Sequence, residues 1–251
     1  MSPRPALEIA VTSPAGARAA RENGADRVEL CTALELGGVT PSAALVEAVA
    51  AEGLPVQVLV RCRPGDFVHE AEELDLMAAE VRSVIASGAA GVVVGALTAD
   101  GTLDVPAVAR LAEAARASGR PVDVTLHRAI DQSADPVATA ALLPALGLTR
   151  VLTSGGAPAA AEGLATIAAM AAAAPGVEVM AGGGVRLGDI PALVAAGVAS
   201  VHLSAKVSAP RRPGATWVPM GASGTSAEQD THFVTDPGVV ARARQALDAA
   251  A

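Results

Sequence analysis

Short runs rich in Val, Ile and Leu alternate along this chain with longer alanine-rich runs of helical period. The runs that read as strands begin near Leu7, Arg27, Pro55, Gly91, Pro121, Arg150, Val177 and Ser200. They recur about every 28 residues, a length that suits one strand–helix unit. The runs between them carry helix punctuation. Ser13, Ser42, Asp104, Asp135 and Asp189 stand where N-caps belong. Pro14, Pro106, Pro136 and Pro191 fall at or near first turns, where a missing N–H costs little. Glycines such as Gly24, Gly88, Gly147 and Gly197 close helices at or near C′. Eight such units predict an α/β fold, either a closed (β/α)8 TIM barrel or an open doubly wound sheet. The even spacing favours closure, and no strand is followed by a GxGxxG phrase. Residues 1–251 read as a single barrel domain, with a long polar loop over 207–235 and a closing helix over 236–248.

Parallel strands buried on both faces usually read as unbroken apolar runs. Several of these do not. Glu8 alternates with Leu7 and Ile9; Arg27, Glu29 and Cys31 alternate with Val28 and Leu30. Gln57, Arg61 and Arg63 alternate with Val58, Val60 and Cys62; Asp123, Thr125 and His127 with Val122, Val124 and Leu126; His202 and Ser204 with Val201 and Leu203. Strand side chains have a period of two, so each polar set shares a face. The apolar face must meet the helices, which turns the polar face into the barrel. At the C-terminal rim this gathers Glu8, Glu29, Arg61, Arg63, His127, His202 and Ser204 into one mouth, where barrels of this kind hold their sites. The four charged residues also suit a paired, purely structural ion network.

Composition narrows the chemistry. The net charge of -8 argues against nucleic acid or an anionic membrane as partner. No apolar run approaches the roughly 18 residues of a membrane span. Two cysteines are too few for a disulfide framework, which suits a reducing cytoplasm. With no Tyr, two Phe and one Trp, the core must pack aliphatic against aliphatic.

Glycine-rich turns follow the late strands: Thr153-Ser154-Gly155-Gly156 after the sixth and Ala181-Gly182-Gly183-Gly184 after the seventh. Barrels often hold phosphate there, on backbone N–H groups. Ser154, Gly155, Gly183, Gly184 and Ser204 are therefore candidate anion-binding positions, with Arg186 close by. Asp66 suits a base, a metal ligand or a helix cap. His69 and His232 read as surface residues, and Cys62 as a small hydrophobe beneath a helix. Lys206, the single lysine, is weighed as a Schiff-base nucleophile but falls in a loop.

The phrases NGADRVELC (23–31), GGVTPS (37–42), RCRPGDF (61–67), HRAID (127–131), RVLTSGG (150–156) and AGGGV (181–185) resemble the copper homeostasis protein CutC family over nearly the whole chain. The resemblance implies a barrel, a cytoplasmic role in copper homeostasis and a homo-oligomer. It also implies copper ligation by a cysteine of strand one and by the cysteine of the DRVELC phrase. Cys31 matches the second, whereas Ala10 stands at the first. Cys62 stands where the family's Arg-Pro-Arg phrase has proline.

Two functions from different classes follow. One is copper binding or delivery centred on Cys31. The other is an enzyme acting on a small anionic metabolite, phosphorylated or not. There Arg61, Arg63 and Asp66 contact the substrate, Glu8 or Glu29 is the base, and His127 or His202 is the acid. A Cu(I) site wants two or more soft ligands, and the intact Glu, Arg and His set is hard.

Overall fold

The computed structural model describes residues 4–209, 218 and 232–250. Eight parallel strands close into a barrel in chain order: β1 (Ala6–Val11), β2 (Arg27–Leu30), β3 (Val56–Leu59), β4 (Gly91–Val94), β5 (Asp123–Leu126), β6 (Arg150–Thr153), β7 (Glu178–Ala181) and β8 (Ser200–Leu203). The ring shuts where β1 pairs with β8, Glu8 opposite His202. Around it run α1 (Pro14–Glu22), α2 (Ala43–Ala50), α3 (Ala71–Ala86), α4 (Val105–Arg116), α5 (Pro136–Leu142), α6 (Leu164–Ala173), α7 (Ile190–Ala195) and α8 (Pro237–Ala250). The chain is a (β/α)8 TIM barrel. Among the described residues, no helix is long and apolar enough to cross a membrane.

The punctuation works as its chemistry requires. Ser13, Ser42, Asp104 and Asp135 accept backbone N–H groups from Gly16, Leu45, Ala107 and Val137. Asp189 differs: its carboxylate accepts from Arg186 N at 2.9 Å, closing a 3-10 turn ahead of α7 instead of capping that helix. The span expected as one long loop is also corrected. Its described ends pair as an antiparallel ribbon, β9 (Lys206–Ser208) with β10 (Phe233–Thr235), before α8 begins. The rest of that span, apart from exposed Val218, lies outside the described residues.

Alternation inside the strands sorts the side chains. Leu7, Ile9, Val28, Leu30, Val58, Val92, Val124, Val151, Val179 and Val201 face the helices in one aliphatic core. The inward face near the N-terminal ends of the strands is an ion network. Arg27 Nε meets Glu8 Oε2 at 2.5 Å, and its Nη2 meets Glu178 Oε1 at 2.6 Å. Arg150 approaches Glu178 at 3.1 Å and Asp123 at 3.4 Å, and Ser200 donates to Glu178. A structural network therefore exists, but not the one of Glu8, Glu29, Arg61 and Arg63 that the sequence suggested. Glu8 belongs to it; Glu29, Arg61 and Arg63 do not.

Candidate active site at the barrel mouth

Above this floor, at the C-terminal ends of the strands, opens a cavity of about 500 Å³. That is within the range of roughly 300–1,000 Å³ usual for small-molecule sites. Its acid–base centre is built from β2 and β8. Glu29 and His202 both line the cavity and approach at 3.6 Å, Oε2 to Nε2. Behind them lies Glu8, fully buried, whose Oε1 sits 2.8 Å from His202 Nδ1.

The three groups titrate differently for physical reasons. Burial pushes the Glu29 carboxyl up to about 7; His202 pulls it down and the Glu8 charge adds to the rise. Burial opposes charge on His202, but Glu29 and Glu8 outweigh it and hold the imidazole above its ordinary value. Burial opposes charge on Glu8 too. There the His202 hydrogen bond and the Arg27 guanidinium win, holding it down at about 2. The arrangement is an ionised carboxylate, an imidazole and a carboxyl poised near neutrality.

The cavity also carries cationic side chains. Arg61, Arg128, Arg186 and Lys206 line it, together with Gly183, Gly184 and Ser204. Gly183 has φ +96, and a Cβ there would strike Arg128 Cζ at 2.7 Å. The glycine is the space in which that guanidinium lies. Arg128 is oriented by Asp131 at 2.7 Å and Ser154 Oγ at 2.8 Å. Lys206 is exposed, its Nζ 4.2 Å from the centre of the Phe233 ring, and it belongs to the cationic rim.

Several expected site residues sit elsewhere. Glu8 is sealed below the cavity and acts through His202. Arg63 turns away from the mouth to Glu73 at 2.6 Å and Asp66 at 3.2 Å. The reason is that β3 ends at Leu59, so alternation no longer governs the loop beyond it. Asp66 is an exposed loop cap that accepts from Val68 N at 3.1 Å. Ser154 is buried in the Asp131 network and donates to Ala157 O at 2.6 Å. Gly155 packs on the Gly163 backbone, where a Cβ would meet its carbonyl oxygen at 2.4 Å. Neither lines the cavity.

Two more lie at the mouth in altered roles. Arg61 spends its guanidinium on the carbonyls of Leu36, Gly38 and Gly65 and lies over Phe67, so it staples the rim as well as charging it. His127 accepts from Ala129 N at 3.2 Å through Nδ1. Burial first, then Arg61 and His69, push it down to about 3. It stays neutral, which removes it as a cationic acid.

Cys31 is buried beside Leu59 and Val93, its thiol pushed up to about 12 by burial and then by the Glu29 and Glu35 charges. Among the described residues, no group of three potential metal ligands forms around it. His69 is corrected: its side chain is fully buried, against Cys62 and Glu73.

Arg128 and Phe67 escaped sequence reasoning. The available signal was position: Arg128 directly follows the inward His127, in the 3-10 turn Arg128–Gln132 that ends β5.

A closed parallel barrel with an acid–base cluster and a cationic rim defines an α/β-barrel protein with a small-ligand cavity at its C-terminal face. The CutC family model matches residues 6–207, and the chain belongs to that family. CutC family proteins of Xylella fastidiosa (strain Temecula1) and Agrobacterium fabrum are 49% and 44% identical to it. The first match covers 83% of this chain and 78% of the relative; the second covers 75% and 74%. The solved structure of the Streptococcus agalactiae protein named CutC, for copper homeostasis, superposes with a TM-score of 0.72 at 27% identity. That match covers 80% of this chain and 98% of the other. A thiamine phosphate pyrophosphorylase from Pyrococcus furiosus, at 13% identity and TM-score 0.59, shares the fold alone.

Proposed function

We propose that this CutC-family barrel is an enzyme that binds a small anionic metabolite at its mouth and moves a proton on it. The observation that carries this reading is the Glu29–His202 pair, 3.6 Å apart in a cavity that Arg128 and Arg186 also line. Glu29, poised near pH 7, takes a proton from the bound ligand. His202, whose basicity Glu29 and Glu8 raise against burial, returns one. Arg128 and Arg186, with the backbone at Gly183 and Gly184, hold the anion.

Copper is the cargo that the name of the Streptococcus agalactiae relative carries. The Cys31 position does not fit Cu(I): its thiol is buried among aliphatic side chains and disfavours the thiolate, and Ala10 supplies no second sulfur.

Titration calorimetry with inorganic phosphate and a panel of phosphorylated metabolites tests the reading. The expected result is a ligand whose affinity falls about tenfold in Arg128→Ala, and whose turnover falls about 10²–10⁴-fold in Glu29→Gln. Anaerobic competition for Cu(I) with a chromogenic chelator is the counter-test. A stoichiometric Cu(I) site that disappears in Cys31→Ser would overturn the proposal in favour of copper handling.

A further inference from the structure

Outside the mouth, where the loop after β3 meets the first turn of α3, three potential metal ligands converge. Cys62 Sγ lies 3.9 Å from His69 Nδ1, and His69 Nδ1 lies 3.5 Å from Glu73 Oε2. All three donor atoms fall within 4.8 Å of one another. None of these residues lines the barrel cavity.

His69 carries the argument. Its ring is fully buried, yet neither nitrogen holds a short hydrogen bond. Nε2 has no partner, and Nδ1 has only the two long approaches to sulfur and carboxylate. A buried imidazole normally secures at least one close partner, because an unmet polar atom costs free energy. Here Nδ1 points into the gap between a thiol and a carboxylate. A tetrahedral ion with bonds of about 2.0–2.3 Å to N, O and S sets its ligands about 3.3–3.6 Å apart. The two separations from His69 Nδ1, 3.9 Å to sulfur and 3.5 Å to carboxylate, lie within a few tenths of an ångström of that.

The surrounding charges fit as well. Glu73 Oε1 is held by Arg63 Nε at 2.6 Å, and Oε2 accepts from Glu70 N at 3.0 Å and from Arg63 Nη2 at 3.3 Å, which orients the carboxylate with Oε2 3.5 Å from His69. Arg63 is also paired with Asp66, so its charge is already offset.

We infer that Cys62, His69 and Glu73 form a three-ligand site for a divalent cation of the Zn²⁺ type, with a fourth position open. One thiolate, one imidazole and one carboxylate make a borderline donor set that suits Zn²⁺ better than Cu(I). Binding releases the Cys62 thiol proton. The site would also clip the loop that carries Arg61 and Phe67 to the cavity wall, which gives a metal bound outside the mouth a way to act on it.

Tag-free, reduced protein titrated with Co²⁺ and Zn²⁺ tests this. The expected result is one ion per chain, with the visible d–d absorption of tetrahedral Co²⁺ and a thiolate-to-metal band in the near ultraviolet. Cys62→Ser should abolish that band, and His69→Gln or Glu73→Gln should weaken binding at least about 100-fold, while Cys31→Ser keeps it intact. Circular dichroism matched to wild type confirms that each variant is folded. If Cys62→Ser is not, the His69→Gln and Glu73→Gln titrations decide. Failure to take up one ion per chain, or a charge-transfer band that survives in folded Cys62→Ser, would overturn the inference. So would affinity unchanged in both His69→Gln and Glu73→Gln.

Discussion

The barrel interior holds two polar layers that share Glu8 and behave oppositely. In the floor, Arg27 and Arg150 face Glu8, Glu178 and Asp123, and each charge has a partner of opposite sign within 3.4 Å. In the mouth, Glu29 is buried much as Glu8 is below it, and more so than Glu178 or Asp123. Its nearest cationic partner is a histidine at 3.6 Å, and its carboxyl rises to about 7. Similar burial of Glu8 and Glu29 with unequal pairing yields opposite electrostatics. A closed set of ion pairs locks a layer, whereas a carboxyl left without a strong base stores the capacity to exchange protons near neutrality. Glu8 joins the layers, one oxygen on Arg27 and the other on His202.

The largest effect should come from breaking the floor. Arg27→Ala takes one cationic partner from each of Glu8 and Glu178, leaving Glu8 with His202 and Glu178 with Arg150, and urea denaturation should show a loss of about 3 kcal/mol. A loss below about 1 kcal/mol would mean that the floor is not a locked network.

The next effect separates the layers by the sign of their pH dependence. Glu29 keeps its proton up to about pH 7 when folded, against an ordinary value of 4.5. The folded chain therefore binds the extra proton, and this group's contribution to stability falls as pH rises from about 4.5 to 7. Glu8 runs the other way, folded value about 2 against 4.5: its contribution is present above 4.5 and lost as pH falls toward 2. Each slope amounts to about 3 kcal/mol over its window. Urea melts of Glu29→Gln should lose the slope between 4.5 and 7 and keep the acid-side loss. If the neutral-side slope persists in Glu29→Gln, the mouth assignment fails.

Smaller effects refine the rim. Gly183→Ala forces a left-handed backbone on a residue with a side chain and displaces Arg128. Thermal unfolding should register about 1–2 kcal/mol, and phosphate affinity should fall in parallel. Arg128→Ala, whose side chain is 41% exposed, should leave stability within about 0.5 kcal/mol while still weakening the anion. Equal stability losses in these two variants would show that Gly183 serves packing alone.

Much of this was legible in the residues because a period of two holds wherever a strand is hydrogen-bonded on both sides. Glu29, His127 and His202 were placed inward on that ground, and they are inward. The rule stops with the ladder. Arg63 and Asp66 lie past the end of β3, and Ser154 lies just past β6, where local turns decide direction. Height along the barrel axis was also hidden. In the pairing register Glu8 is level with Arg27, while Glu29 is level with Ala10, two residues further along β1. Only the stagger between strands tells floor from mouth. Arg128 and the Cys62–His69–Glu73 group were invisible for another reason. Each depends on how a loop folds back, which no periodicity encodes. The buried His69 is the clearest case, since its polar neighbours in sequence read as surface.

The β9–β10 ribbon gives the barrel a detachable module. Because Ser208 and Phe233 are held side by side, the barrel sees only two fixed anchor points, whatever lies between them. Segments of different length can be exchanged there at little entropic cost to closing the ring. Lys206 sits at the base of one anchor, on the cavity rim, so such an exchange would change access to the cavity while leaving Glu29 and His202 in place.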